Sequence, residues 1–482
     1  MAILRKALIV IAVLVLVVIG GLAALYGVAV AMNRHDRPPS AKALELAAAS
    51  ASLPAVADGE NGYVFVLGLD APPDADPMQL GTARAAEARR LDGDAAPAGG
   101  FERPPAPPDG LARPLEGQPA SAAMVRLSRA ESALPNCSSL GTRCFERLEA
   151  ASDRIEAALA ESSWAVERYL KLLEYPAWLE VGSSGPSPGP RPKFSIVNQF
   201  HELRFLDAWT LARRGDAAAV ERLLDSDLTF WRRALTNADM LITKAVIAHF
   251  IQDYFVWSNA ILERLPQEAR AQAIPDSWRA PIADEERSFE RVVAGEWRLA
   301  RNRIFSLKTQ GVFDPAAAAE LAGRGEPPLP RRQARFLQPQ DFANRYAERL
   351  GEIADAAVAP YAELPRAFAA LRAKQPSAWP AGVEGLSDLL YDPLGDIFLP
   401  DLSTFIDDAE VVADLEGVRR AALLAAELRA AGASARDVPA AIAGAELRNP
   451  YTDEPFGWLP DEQAIVFVGQ SHLAYGRVAL RY

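Results

Sequence analysis

Histidine, cysteine and methionine are scarce in this 482-residue chain, with four, two and five copies. None of the four histidines, His35, His201, His249 and His472, belongs to an ExxH or HExxH pair, so neither the di-iron nor the zinc-peptidase pattern is present. No GxxxxGK[ST] or GxGxxG occurs, which removes the glycine-rich phosphate cradles. Cations are in deficit as well. The 51 Lys and Arg face 63 Asp and Glu, giving a net charge of −12, and such a balance lacks the clustered basic surface that nucleic acids or anionic lipids require. We expect no nucleic-acid partner and no cofactor.

What the chain does have is one long uncharged apolar run, residues 7–32, directly after Arg5 and Lys6. As a helix it would be ~39 Å long, enough to cross a ~30 Å hydrocarbon layer with some tilt. A cleavable signal peptide is the rival, because Ala29-Val30-Ala31 fits the small-x-small cleavage pattern, but apolar cores of such peptides run only ~7–15 residues. The run therefore reads as a transmembrane anchor, preceded by a cytoplasmic tail of residues 1–6. Arg34, Arg37 and Lys42 follow it, so charge alone does not orient it; a short leading tail normally stays inside while the long remainder is exported. No second span is expected, the longest later candidate being broken by Lys244, His249, Gln252 and Asp253. Gly20 and Ala24, four apart, offer a small-residue face for a weak homodimer.

With 50% hydrophobic and 24% charged residues, the rest should fold as one large or two ordinary domains. Cys137 and Cys144 lie on the presumed exported side, where disulfides persist. In a continuous helix their Cα atoms would be ~10 Å apart, so pairing requires Cys137 to sit in a turn, which Pro135, Asn136 and Gly141 supply. Closing that loop would stabilise the fold by ~2.5 kcal/mol on the chain-entropy model.

The pattern predicts a mainly α fold: a single N-terminal transmembrane helix, then an α-helical bundle of αα-hairpins with a small terminal β-sheet. Residues 33–120 read as a stalk (an Ala-rich helix at 41–51), one strand and a Pro/Gly-rich loop; the strand is the compact apolar run Tyr63-Val64-Phe65-Val66-Leu67. Residues 121–400 read as the helical domain. Within it, residues 143–175 form an amphipathic helix, and residues 195–266 form an αα-hairpin closed at Gly215, with Asp216 capping the next helix, followed by a helix apolar on nearly all sides. Residues 401–482 read as a helix plus β-hairpin on the same body, and the 63–67 strand is expected to pair with this tail.

The strongest site candidate lies in the central block, where His201 and Glu202 on one helix, and His249 and Asp253 four apart on another, place two imidazoles and two carboxylates within reach of a metal. A core histidine bonded by Asp253, with His201 packed beside Phe205, accounts for the same residues. Ser471-His472 pairs a nucleophile with a base but lacks the GxSxG elbow, and strand neighbours point to opposite faces. The acidic stretch from Asp392 through Asp401, Asp407, Asp408 and Asp414 has no calcium-loop spacing and reads as a solvated face with helix caps.

Several segments together, NGYVFVLGLDAPPDADP (61–77), the Cys137 and Cys144 pair, FLQPQDFANRYAERL (336–350), YDPLGDIFLP (391–400) and NPYTDEPFGW followed by IVFVG, resemble a family of signal-anchored proteobacterial envelope proteins of uncharacterised activity. The resemblance implies an inner-membrane protein with a periplasmic C-terminal domain. The final segment is also similar to the C-terminal hairpin of type II secretion pseudopilins, with Asn449 in place of that pattern's Asp and Asp453 in place of its Gly. Two functions follow as expectations: a membrane-anchored envelope protein with a protein-interaction or assembly role, or a periplasmic hydrolase or metal-dependent enzyme with its site in the central helical block.

Overall fold

The computed structural model describes residues 2–52, 55–93, 144–182, 189–310, 334–374, 390–472 and 476–482. In chain order the helices are α1 (Ala2–Met32), α2 (Ala41–Ala51), α3 (Gly62–Leu67), α4 (Pro77–Gly93), α5 (Cys144–Ala150), α6 (Ser152–Glu161), α7 (Ser163–Leu173), α8 (Phe194–Arg213), α9 (Ala217–Thr236) and α10 (Leu241–Arg264). They continue with α11 (Asp284–Arg287), α12 (Glu290–Gln310), α13 (Pro339–Ala357), α14 (Leu364–Lys374), α15 (Pro393–Phe398), α16 (Ser403–Ala430) and α17 (Val438–Gly444). Three short strands close the sequence: β1 (Gly457–Leu459), β2 (Ala464–Val468) and β3 (Arg477–Arg481). The architecture is mainly α with one apolar N-terminal helix and a small antiparallel sheet at the C-terminus, ordered β1-β2-β3.

The central hairpin follows its local chemistry. Gly215 takes φ +76°, a left-handed conformation that costs glycine nothing, and the Asp216 carboxylate accepts the Ala219 N–H at 3.0 Å to open α9. Helix α10, apolar on most sides, lies inside, packed by α8 and α9 on one flank and along α16 on the other. The tail is thus part of the same body. Its sheet presses on α16 at Gly417, where a Cβ would come within 2.1 Å of the Phe467 ring.

Three expectations are overturned. Residues 63–67 are not a strand but helix α3, and the terminal sheet closes without them: Trp458 pairs with Ile465 and Phe467 with Val478. The Asn61 side chain caps α3, accepting the Tyr63 N–H at 3.1 Å, and α4 crosses it so closely that a Cβ on Gly81 would meet the Val64 carbonyl at 1.9 Å. A short helix wrapped on all sides carries the same unbroken apolar run as a buried strand. Helix α2 is no stalk either; Ser40 caps it, and Ala43 and Leu46 are buried where it packs on α12 and α13. The 143–175 helix is three helices, interrupted at Ala151 (ψ 6°) and Ser162 (ψ 17°), which turns Leu148, Ile155 and Tyr169 into the core. Cys137 and most of the 93–120 loop lie outside the described residues, and the expected disulfide with them; Cys144 opens α5.

Candidate functional site

Among the sequence candidates, His201 is the most enclosed, at 1% exposure. It projects from α8 into an aromatic chamber, 4.4 Å from the Phe205 ring, 5.4 Å from Phe250 and 5.6 Å from Tyr169 between centroids. Its partner is Asp227 on α9: His201 Nε2 lies 2.9 Å from Asp227 Oδ2. The Tyr169 hydroxyl on α7 donates to Asp227 Oδ1 at 2.6 Å, and Trp231 Nε1 donates to that same hydroxyl oxygen at 2.7 Å. Burial, and then the Asp227 charge, push the Tyr169 phenol well above its ordinary value and keep it a neutral donor. One carboxylate therefore ties three helices together inside a closed apolar shell. A His–Asp–Tyr chain could relay a proton if substrate reached it, but here every member is sealed.

The other candidates go elsewhere. Glu202 accepts from Asn198 Nδ2 at 2.8 Å along its own helix. His249 and Asp253 share a half-buried face of α10, and desolvation lowers the His249 pKa. Among the described residues no three His, Cys, Asp or Glu side chains come together in a way that could hold a metal ion. Ser471 is buried and His472 exposed, just beyond β2. The Ser471 and Gln470 amides donate to Asp414 at 3.0 and 2.8 Å, and Tyr451 Oη donates to it at 2.7 Å. Burial lifts that carboxyl to about 6. Asp392 and Asp408 are buried too, so the acidic stretch is not the solvated face its composition suggests. A cavity of about 200 Å³ lined by Ser50, Asp239, Glu290, Arg291 and Arg298, and an open groove of about 460 Å³ lined by Glu221, Arg222, Asp225 and Arg233, contain none of the candidates.

A long-range polar construction joins α1 to the body, and sequence reasoning missed it. Asn33, the first residue after α1, is buried; its Nδ2 donates to the Ala29 and Leu390 carbonyls at 2.8 and 2.7 Å, while its Oδ1 accepts from Gln338 Nε2 at 3.0 Å and the Asp392 N–H at 3.0 Å. Asp392 in turn accepts the Gln338 and Gly395 amides at 2.7 and 3.0 Å and Arg345 Nη2 at 2.7 Å. It holds φ +51° to do so, a left-handed conformation that Asp tolerates better than most residues. Beside it, Asp36 accepts the Gln340 and Asp341 amides at the start of α13, where a carboxylate also meets the helix dipole. Arg37 pairs with Asp341 at 2.9 Å. The bonds from Asn33 and Asp36 into the body join residues more than 300 apart, and nothing local in the sequence signals them.

Comparison with protein-family models, with curated proteins and with solved structures gives no match, so the reading of this chain rests on its own geometry.

Proposed function

We propose that this chain is a single-pass protein of the bacterial inner membrane, anchored by α1, with its helical body on the periplasmic side and a protein-interaction or assembly role. The observation that carries the reading is the seat around Asn33: a body hydrogen-bonded to the end of its anchor presents its surfaces to neighbours at a fixed height and angle. An enzyme acting on diffusing substrates has no need of that constraint. A hydrolase drawing on the central block would need a route to His201, which is 1% exposed. Retention of the anchor is supported by the small-x-small site itself, since Ala29 is buried and the helix runs unbroken through it to Met32. The resemblance to signal-anchored envelope proteins points the same way, and a weak homodimer through Gly20 and Ala24 belongs to the proposal.

Topology is tested with reporters fused after Tyr482: alkaline phosphatase should be active and a cytoplasm-restricted fluorescent protein dark, with the product resisting alkaline carbonate extraction. The reverse pattern sinks the orientation, and a carbonate-soluble product sinks the anchor. The role is tested by residue-specific photocrosslinking in intact cells. One recurrent adduct from one face of the body is expected, and uniform absence of adducts counts against assembly.

A further inference from the structure

The point at which lipid gives way to protein along α1 can be read from its burial and ring contacts. From Ala7 to Tyr26 is a stretch of helix ~30 Å long, already the thickness of a bilayer's hydrocarbon core. Six residues remain through Met32, a further ~9 Å of helix. Protein contact begins at the junction of the two stretches: Tyr26 meets the Phe336 ring edge-on at 5.8 Å, and Ala29 is buried. The segment just before α13 therefore reaches back alongside α1 by more than a helical turn.

We propose that the lipid boundary falls at Tyr26, that the last turns of α1 stand clear of the hydrocarbon, and that Phe336 and the Ile397 edge of α15 rest in the headgroup layer of the same membrane. This deepens the membrane reading and rests on it. Placing the boundary at Met32 instead would drive the backbone around Phe336 into hydrocarbon; at Tyr26 both aromatic rings occupy the interfacial zone where such side chains are favoured. Helix α15 is held to this segment, the Leu394 N–H donating to the Phe336 carbonyl at 3.4 Å and the Asp392 N–H to Asn33. One turn along α15, Ile397 is 49% exposed, one of a few large apolar side chains open to solvent outside α1. Arg34 and Arg335 are exposed on the same junction, where long cationic side chains reach headgroup phosphates. Two amides of the segment are paired internally, Leu337 N–H to the Ala334 carbonyl and Gln338 N–H to Asp392, which lowers the cost of partial withdrawal from water.

The test uses the full chain in phosphatidylcholine nanodiscs, with a fluorescent unnatural amino acid replacing Ile397, Leu170 or Leu16 in turn. Leu170 is an exposed apolar residue on α7, which packs on α3, α8 and α9, and Leu16 lies mid-span. Nitroxide lipids labelled near the headgroup should quench the probe at 397 by roughly twofold or more and leave the probe at 170 unaffected, as expected of a side chain inserted a few ångströms into the interface. Quenching at 397 by aqueous iodide alone, protection of 397 from both quenchers by a protein neighbour, or equal lipid quenching at 397 and 170 overturns the proposal. Nitroxides placed deep in the acyl chains should quench the probe at Leu16. If they do, a negative result at 397 removes the interfacial seating and leaves the anchor standing; if they do not, the anchor itself fails.

Discussion

The aromatic centre and the anchor seat are both buried and both polar at heart, yet they are built on opposite principles. Around Asp227, a single carboxylate serves three helices inside a shell of Trp and Phe, and apolar burial supplies most of the stability. Around Asn33 and Asp392, the helix end meets the body mainly through hydrogen bonds and ion pairs, with Tyr26 on Phe336 as the ring contact. The first region should fail as part of the whole fold. The second should fail by coming loose while the body survives.

The largest effect is expected at Asp227. Asp227→Ala strips the partner from His201 and Tyr169 in a sealed site and should destabilise the body by ~3–5 kcal/mol, read as a lower midpoint in denaturant with an unchanged slope. Asp227→Asn keeps one acceptor and should cost less. Near-identical midpoints for wild type and the alanine variant would show that the network is not structural.

Next comes Asn33→Leu. It removes two donors and one twice-used acceptor, taking their Asn33 partner from the Leu390 carbonyl and the Asp392 N–H, at a cost of ~1–3 kcal/mol confined to docking. The body's thermal midpoint should stay near wild type, while residues 33–40 become open to protease in nanodiscs. A midpoint drop as large as that of Asp227→Ala would erase the contrast between the two regions.

This difference in construction also decides what could be read from the sequence. Helices α8 to α10, the Gly215 turn with its Asp216 cap, α16 and the terminal hairpin are written in local periodicity and turn chemistry, and the fold carries them. The loss at residues 63–67 came from a run too short to show a period, settled by Asn61 and by the close crossing at Gly81. His201 packing beside Phe205 was legible at helical spacing, whereas its partner Asp227 sits on another helix with no pattern linking the two. The seat is illegible for the same reason at greater range, and so the packing of the Ser40-capped helix α2 is not announced by its Ala-rich sequence. Asp453 adopts φ +57°, a left-handed conformation that no local periodicity announces.

Protonation offers a milder way to compare the body with the seat, through two carboxyls raised by burial: Glu180, lifted to about 8 at the start of α10 where it accepts the Asp239 and Met240 amides, and Asp392, lifted to about 7 in the seat. Both folded values lie above the ordinary 4.5 and 3.8, so the folded state binds these protons more tightly than the unfolded chain. The stabilisation is full below the ordinary values and is lost as pH rises through about 7 for Asp392 and about 8 for Glu180. Each group can tilt stability by at most ~1.4 kcal/mol per pH unit across its window. Glu180→Gln should flatten the fall of the body's thermal midpoint with rising pH, and Asp392→Asn should flatten the rise in protease access to residues 33–40. A pH dependence untouched by either variant would place the titration elsewhere.

The smallest effect is expected within the span. A Cβ on Gly20 meets nothing within 4 Å, so Gly20→Leu should leave both the body and the seat intact. On the proposed homodimer it does the opposite of nothing, because a bulky side chain at that position separates two helices that otherwise approach closely along Gly20 and Ala24, a contact worth ~1 kcal/mol. Energy transfer between labelled copies in dilute vesicles should therefore fall in Gly20→Leu and not in Leu14→Ala, a change at another exposed position of α1. Since docking at Asn33 fixes the body relative to α1, a true helix pair would also fix the angle between two bodies, and Asn33→Leu should broaden that distance distribution without lowering the dimer fraction. Undiminished transfer in Gly20→Leu would mean that the copies meet through the bodies, and the small-residue face would then be only a feature of helix composition.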